Sequence, residues 1–269
     1  MKILVNGLLT FDSGKTTFAS YILSELKNTG LNFFPLKPIA GHNGWYSYET
    51  LLKSKSINAL AGNDALKYYN ITGIDVRLIN PFAVLLFPVD LEKLDYKISF
   101  YEQLMENGYP VMIRYTDVNG NDYYYAVDPG LVIDSLSDIL EDLYNTFKPI
   151  IVSNRCIRNK VNESSYIVDN NVKEFLKKDN IIIESYNDAL APTYSSLGVD
   201  VMFAVAPGKV FMIDGDRLRK ILSLFTLPPW IIRTKEIFEY TKPDKTFVIN
   251  IKNSKNDIIV NELLRYVDL

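Results

Sequence analysis

A chain of 269 residues, 48% of them hydrophobic, is long enough to bury a sizeable core and short enough to form one α/β domain. A net charge of −3 carries no global basic bias, which argues against a nucleic-acid partner, and a single cysteine, Cys156, excludes an internal disulfide framework and a cysteine-rich zinc site. No run approaches the roughly twenty apolar residues of a membrane helix, and the N-terminus has a strand pattern rather than a signal-peptide pattern, so a cytoplasmic protein with no membrane partner is expected.

The first strand is the β-branched run Lys2-Ile3-Leu4-Val5-Asn6-Gly7. A loop carries the chain through Asp12 and Ser13 to Gly14-Lys15-Thr16-Thr17, where an amphipathic helix opens with Phe18, Ile22, Leu23 and Leu26 on one face and Gly30 as its stop. Strand, loop, Gly-Lys-Thr and helix form the context of a phosphate-binding P-loop. Ser13, Gly14, Lys15, Thr16 and Thr17 are the candidate phosphate cradle, because N–H groups at a helix start point at anions. Lys15 would reach the β- and γ-phosphates, and the Thr16 hydroxyl would bind Mg²⁺. The loop is longer than usual: the position five residues before Gly14 is Leu9, and the nearest earlier glycine is Gly7.

Leu31 to Leu36 reads as a second strand, completing a βαβ unit with a right-handed crossover, and it runs into a loop from Lys37 to Gly44. Lys37 is expected either to face the same phosphates as Lys15 or to lie solvated before Pro38. His42, the one histidine, reads as a loop residue or as an acid/base or phosphate contact. A short helix in the stretch from Trp45 to Leu60, an Asp64-Ala65-Leu66 segment, and Asn80-Pro81-Phe82 before an apolar run to Val89 follow.

Taken together, these segments resemble dethiobiotin synthetase, a P-loop carboxylate–amine ligase related to the cobyrinic acid amidases and other small ATP-dependent synthetases. The resemblance rests on the lengthened loop with Asp12, on Lys37-Pro38-Ile39-Ala40, on Asp64-Ala65-Leu66 and on Asn80-Pro81-Phe82. It implies ATP and Mg²⁺ as cofactors, Asp64 as a magnesium ligand, and Asp12 and Lys37 beside Lys15 in the reaction. GTP in place of ATP is left open, because the family's adenine-contacting pattern is not recognisable.

Departures from that family begin at about Leu91. Two aromatic-rich alternating runs, Tyr109 to Tyr115 and Asp122 to Val127, flank Asn119-Gly120 and predict a β-hairpin inserted at about 91–131. Its tyrosines are candidates for cross-strand packing, for a substrate lid or for a homodimer surface. A helix is predicted from Asp134 to Phe147 and a short strand from Pro149 to Val152; Arg155, Arg158 and Lys160 then form a small basic cluster, a solvated face or an anion site.

The run Ile181-Ile182-Ile183 ends in Glu184, which is how P-loop proteins present a second metal-organising acid. The resembled family continues with a glycine-rich loop and a proline eight residues after the glutamate. Pro192 keeps that offset, but Ser185, Tyr186, Asn187 and Asp188 stand where the glycines would be. A strand from Val199 to Val205, a helix capped by Asp214 or Asp216, a short strand from Thr246 to Ile251 and a last helix from Asn261 to Tyr266 complete the chain.

The expectation is therefore a single P-loop domain over residues 1–269, a three-layer α/β/α fold with a mainly parallel sheet and an inserted β-hairpin. Its expected work is Mg²⁺-dependent phosphoryl transfer from ATP to a small carboxylate or carbamate. The alternatives are a nucleotide-dependent switch or assembly ATPase, and a P-loop domain that binds nucleotide without turnover.

Overall fold

The computed structural model describes residues 1–249 and 257–267. The chain folds as two compact units, Met1–Pro38 with Ser165–Leu269, and Ile39–Ser164, where the sequence suggested one domain. In chain order the first elements are β1 (Lys2–Gly7), α1 (Lys15–Asn28) and β2 (Phe34–Leu36). The second unit then supplies β3 (Ile39–Asn43), α2 (Tyr48–Ser56), α3 (Asn63–Thr72), α4 (Val76–Ile79), β4 (Phe82–Leu86), α5 (Ile98–Asn107), β5 (Pro110–Thr116), β6 (Asp122–Ala126), α6 (Ser137–Phe147), β7 (Ile150–Ile151) and α7 (Asn154–Asn162). Helix α8 (Ser164–Ile167) lies at the division, and the first unit resumes with α9 (Asp169–Phe175), β8 (Ile181–Glu184), β9 (Val201–Ala206), β10 (Lys209–Asp214), α10 (Gly215–Leu222), β11 (Lys245–Val248) and α11 (Asp257–Val267). The predicted strand from Thr246 to Ile251 runs partly outside the described residues.

Both sheets are mixed. In the first unit the order is β11-β10-β9-β1-β8-β2, with β1 parallel to β8 and β9, β2 parallel to β8, and β10 antiparallel to β9 and β11. Alternation along each strand feeds two faces. Leu4, Ile183 and Met202 pack with Val172 of α9 and Leu218 and Ile221 of α10. Their neighbours Val5, Glu184 and Phe203 are in register with one another, and Phe203 meets Phe18 of α1 edge-on at 5.4 Å. Helices thus cover both sides of this α/β sheet. Strand β10 is absent from the sequence reading: Pro207-Gly208 suggested a loop, but Gly208, at φ 77°, makes a tight turn from which Val210 to Ile213 pair back onto β9.

The second unit has its own sheet, in the order β3-β4-β5-β6-β7. The hairpin predicted around Asn119-Gly120 forms: Asp117 N–H donates to Asn121 O, Gly120 N–H donates to Asp117 O, and Gly120 takes φ 87°. It is a structural part of this sheet rather than an appendage, since β5 pairs β4 and β6 pairs β7. Tyr124 lies 4.7 Å from Phe147 of α6 in a stacked pair, so at least that hairpin tyrosine serves packing. Segment 39–43, expected as loop, is strand β3, in parallel register with β4. Gly41 and Asn43 gave it a loop-like composition; pairing with the apolar Phe82–Leu86 decided otherwise.

Candidate functional site

Three side chains converge at the carboxyl ends of β1, β8 and β2, which lie side by side in the first sheet. Thr16, in the first turn of α1, donates from Oγ1 to Glu184 Oε1 at 2.8 Å. Lys37, the residue after β2, donates from Nζ to the same Oε1 at 2.6 Å and to the Ser185 carbonyl at 2.8 Å. Both Lys37 and Glu184 are almost completely buried. The alternative of a solvated Lys37 before Pro38 is excluded by its burial; its ammonium group engages the carboxylate that Thr16 also holds. One buried carboxylate therefore ties the start of α1 to the ends of two strands.

The loop into α1 has the local features an anion needs. Gly14 is the N-cap of α1 at φ 86°, a left-handed conformation that glycine adopts without strain. No side chain caps the helix, and none of its own first-turn residues is acidic, so its first amide groups have no capping partner on the helix itself. Gly7 is explained by close approach: a Cβ there would fall 2.3 Å from Ser13 Oγ and 3.2 Å from the Leu9 carbonyl oxygen. The glycine that looks displaced against the usual spacing is the one that lets this longer loop fold back on β1. Ser13 is buried, and its Oγ has no hydrogen-bond partner, an orphaned polar atom inside the loop. Lys15 and Thr16 are half-buried and Thr17 is exposed. Asp12 is exposed at the loop crest with φ 53°.

Asp64 belongs to the second unit. It occupies the first turn of α3, whose N-cap Gly62 has no side chain, and a carboxylate there favours the helix dipole. Asn80, part of the Asn-Pro-aromatic segment, has a structural place as well. It is buried, donates to the Phe82 carbonyl at 2.9 Å and accepts at its own carbonyl from Arg114 Nη2 at 2.7 Å. Arg114 is fully buried, bonded also to the Leu60 carbonyl and to Thr116. Nothing in the local sequence flags that knot, because Leu60 and Asn80 lie 54 and 34 residues from Arg114. The basic cluster divides too: Lys160 lies 4.1 Å from the centre of the Tyr125 ring.

His42 is a buried strand residue whose two ring nitrogens have no hydrogen-bond partner, and it lies against Gly62. Burial lowers its pKa from 6.5 to about 4. The unfolded chain takes up this proton at the ordinary value and the native chain only near 4, so stability is full above about pH 6.5 and falls as the pH drops. Between pH 7.5 and 5 the expected loss is about 2 kcal/mol. Urea unfolding of the wild type and of His42→Phe at the two pH values should show that slope only in the wild type; equal slopes would show that the imidazole is not the cause.

At the start of α1 a hydroxyl and a carboxylate, oxygen donors of the kind a hard divalent cation takes, are in contact, and the Lys37 ammonium shares that carboxylate oxygen. Among the described residues there is no cluster of three or more His, Cys, Asp and Glu side chains. No helix among them is long and apolar enough to cross a membrane. No family model, curated protein or solved structure matches this chain. What is defined is an α/β protein with two mixed sheets and a polar constellation at one sheet's carboxyl edge.

Proposed function

We propose that the segment from Gly7 to Thr17 is a lengthened P-loop in an α/β/α nucleotide-binding unit, and that the protein is an ATP-dependent phosphotransferase or ligase acting on a small carboxylate or carbamate. The observation that carries this reading is the hydrogen bond from Thr16 Oγ1 to Glu184 Oε1 at 2.8 Å. A hydroxyl in the first turn of a glycine-preceded helix, held by an acid at the end of the neighbouring strand, is the pairing that organises Mg²⁺ beside nucleotide phosphates. A left-handed glycine cap and an uncapped, acid-free first turn add to it.

Thr16 and Glu184 would hold the ion, directly or through water, and the bound ion would neutralise charge on the β- and γ-phosphate oxygens. Lys15, at the first helical position, would neutralise the same phosphates. Lys37, hydrogen-bonded to the same oxygen, holds Glu184 in place. Asp12, exposed at the loop crest, is free of the packing that fixes Glu184 and suits contact with an acceptor. Phosphoryl transfer asks mainly for positioning and charge stabilisation, which two lysines and a preset acid provide.

Calorimetric titration with non-hydrolysable ATP and GTP analogues, each with and without Mg²⁺, tests the reading. Magnesium-dependent binding of the ATP analogue is expected. Binding of neither analogue would remove both the nucleotide and the reaction.

A further inference from the structure

The second unit contains a cavity of about 470 Å³ between α5 and α7 whose two walls differ in chemistry. One wall is apolar: Phe100 and Leu104, one turn apart on α5, together with Leu131 and the buried ring of Tyr109. The other is a single stripe of α7. Arg155, Arg158, Asn159 and Asn162 stand at positions i, i+3, i+4 and i+7, which places them on one helix face. Ile157, off that stripe, is fully buried and anchors the helix.

Neither Arg155 nor Arg158 forms an ion pair among the described residues, although most other arginines there do. Tyr109, by contrast, is satisfied, donating from its hydroxyl to Asn154 Oδ1 at 2.9 Å. Two arginines one turn apart on α7, at the edge of an apolar floor, match a carboxylate or phosphate group, which arginine grips through paired N–H donors. The volume is that of a small-ligand site, and an apolar lining with a few convergent polar groups is what such sites have.

We propose that this cavity binds a small amphipathic organic anion, its carboxylate or phosphate group held by Arg155 and Arg158 and its apolar body lying on Phe100, Leu104 and Leu131. The site is built entirely from residues of the second unit and does not depend on the nucleotide reading.

Calorimetric titration of the full chain with octanoate, octyl phosphate and octyltrimethylammonium tests it. At least one of the two anions should bind at a single site, while the cation of equal chain length should not. Arg155→Gln together with Arg158→Gln should weaken the anion by about tenfold or more, since each removes charge-assisted hydrogen bonds. Both arginines are exposed, so the doubly substituted protein should keep its fold, and its binding of the ATP analogue should be unchanged. Phe100→Ser should weaken octanoate but leave the preference for anion over cation. Failure of both anions to bind, equal binding of the cation, or undiminished anion binding after loss of both arginines would each overturn the proposal. These outcomes are read independently of nucleotide binding.

Discussion

Lys15→Ala is expected to lower affinity for the ATP analogue by about a hundredfold or more, the consequence of removing a cation from a desolvated phosphate contact. Lys15 is the first residue of α1 and follows the left-handed Gly14, so its backbone amide stays in place when the side chain is removed. The variant should keep its circular dichroism spectrum, because Lys15 is half-buried rather than core and alanine favours helix. Calorimetry on the folded variant therefore separates loss of the phosphate contact from loss of structure. Unchanged affinity would mean that the loop does not hold phosphates, and the reading of Thr16 and Glu184 as a metal pair would lose its purpose. The acceptor-side counterpart is Asp12→Asn, which should spare nucleotide affinity and reduce turnover only.

How much of this could be read from the chain depends on the range of the interaction involved. The start of α1 was legible because its determinants are local: an apolar run, a glycine at the N-cap and a 3.6-residue repeat. Glu184 was legible for the same reason, as a carboxylate ending a β-branched run. The hairpin showed itself through Asn119-Gly120, although its incorporation into a five-stranded sheet did not, since β3, β4 and β7 reach it through pairings that no short window contains. Strand β3 was missed because Gly41 and Asn43 read as loop and only its register with β4 makes it a strand. Asp64 and Lys37 show how local and distant surroundings differ in legibility. Asp64 has a local role at the start of α3 that any first-turn carboxylate could fill. Lys37 reaches the predicted end of its sheet, but what it meets there is Glu184, and a contact between residues 147 positions apart is written nowhere in either segment.

That contact sets the second large expectation. Glu184→Ala should cost about 3 to 5 kcal/mol of stability, because it leaves the Lys37 ammonium group buried without its carboxylate. The lost attraction alone is not the reason for the size of the effect; an exposed ion pair, such as that of Lys55 with Asp142, contributes about 0 to 1 kcal/mol. What differs is desolvation, which the buried carboxylate offsets while it is present and which the neutral Ser185 carbonyl does not match in charge when it is gone. Lys37→Met combined with Glu184→Leu removes both charges and fills similar volume, so the double variant should recover most of that stability. Urea unfolding of the two single variants and the double one, closed as a cycle, measures the coupling. Nucleotide titration of the double variant then asks the functional question: a protein that is stable yet binds the ATP analogue no better with Mg²⁺ than without it assigns the pair to the metal site. Retained magnesium dependence would make Lys37 and Glu184 a structural tie between β2 and β8, with Thr16 held to it only as a helix anchor. A loss near 1 kcal/mol for Glu184→Ala would instead show that water reaches the pair, and the argument from a preset, buried acid would fail at its first step.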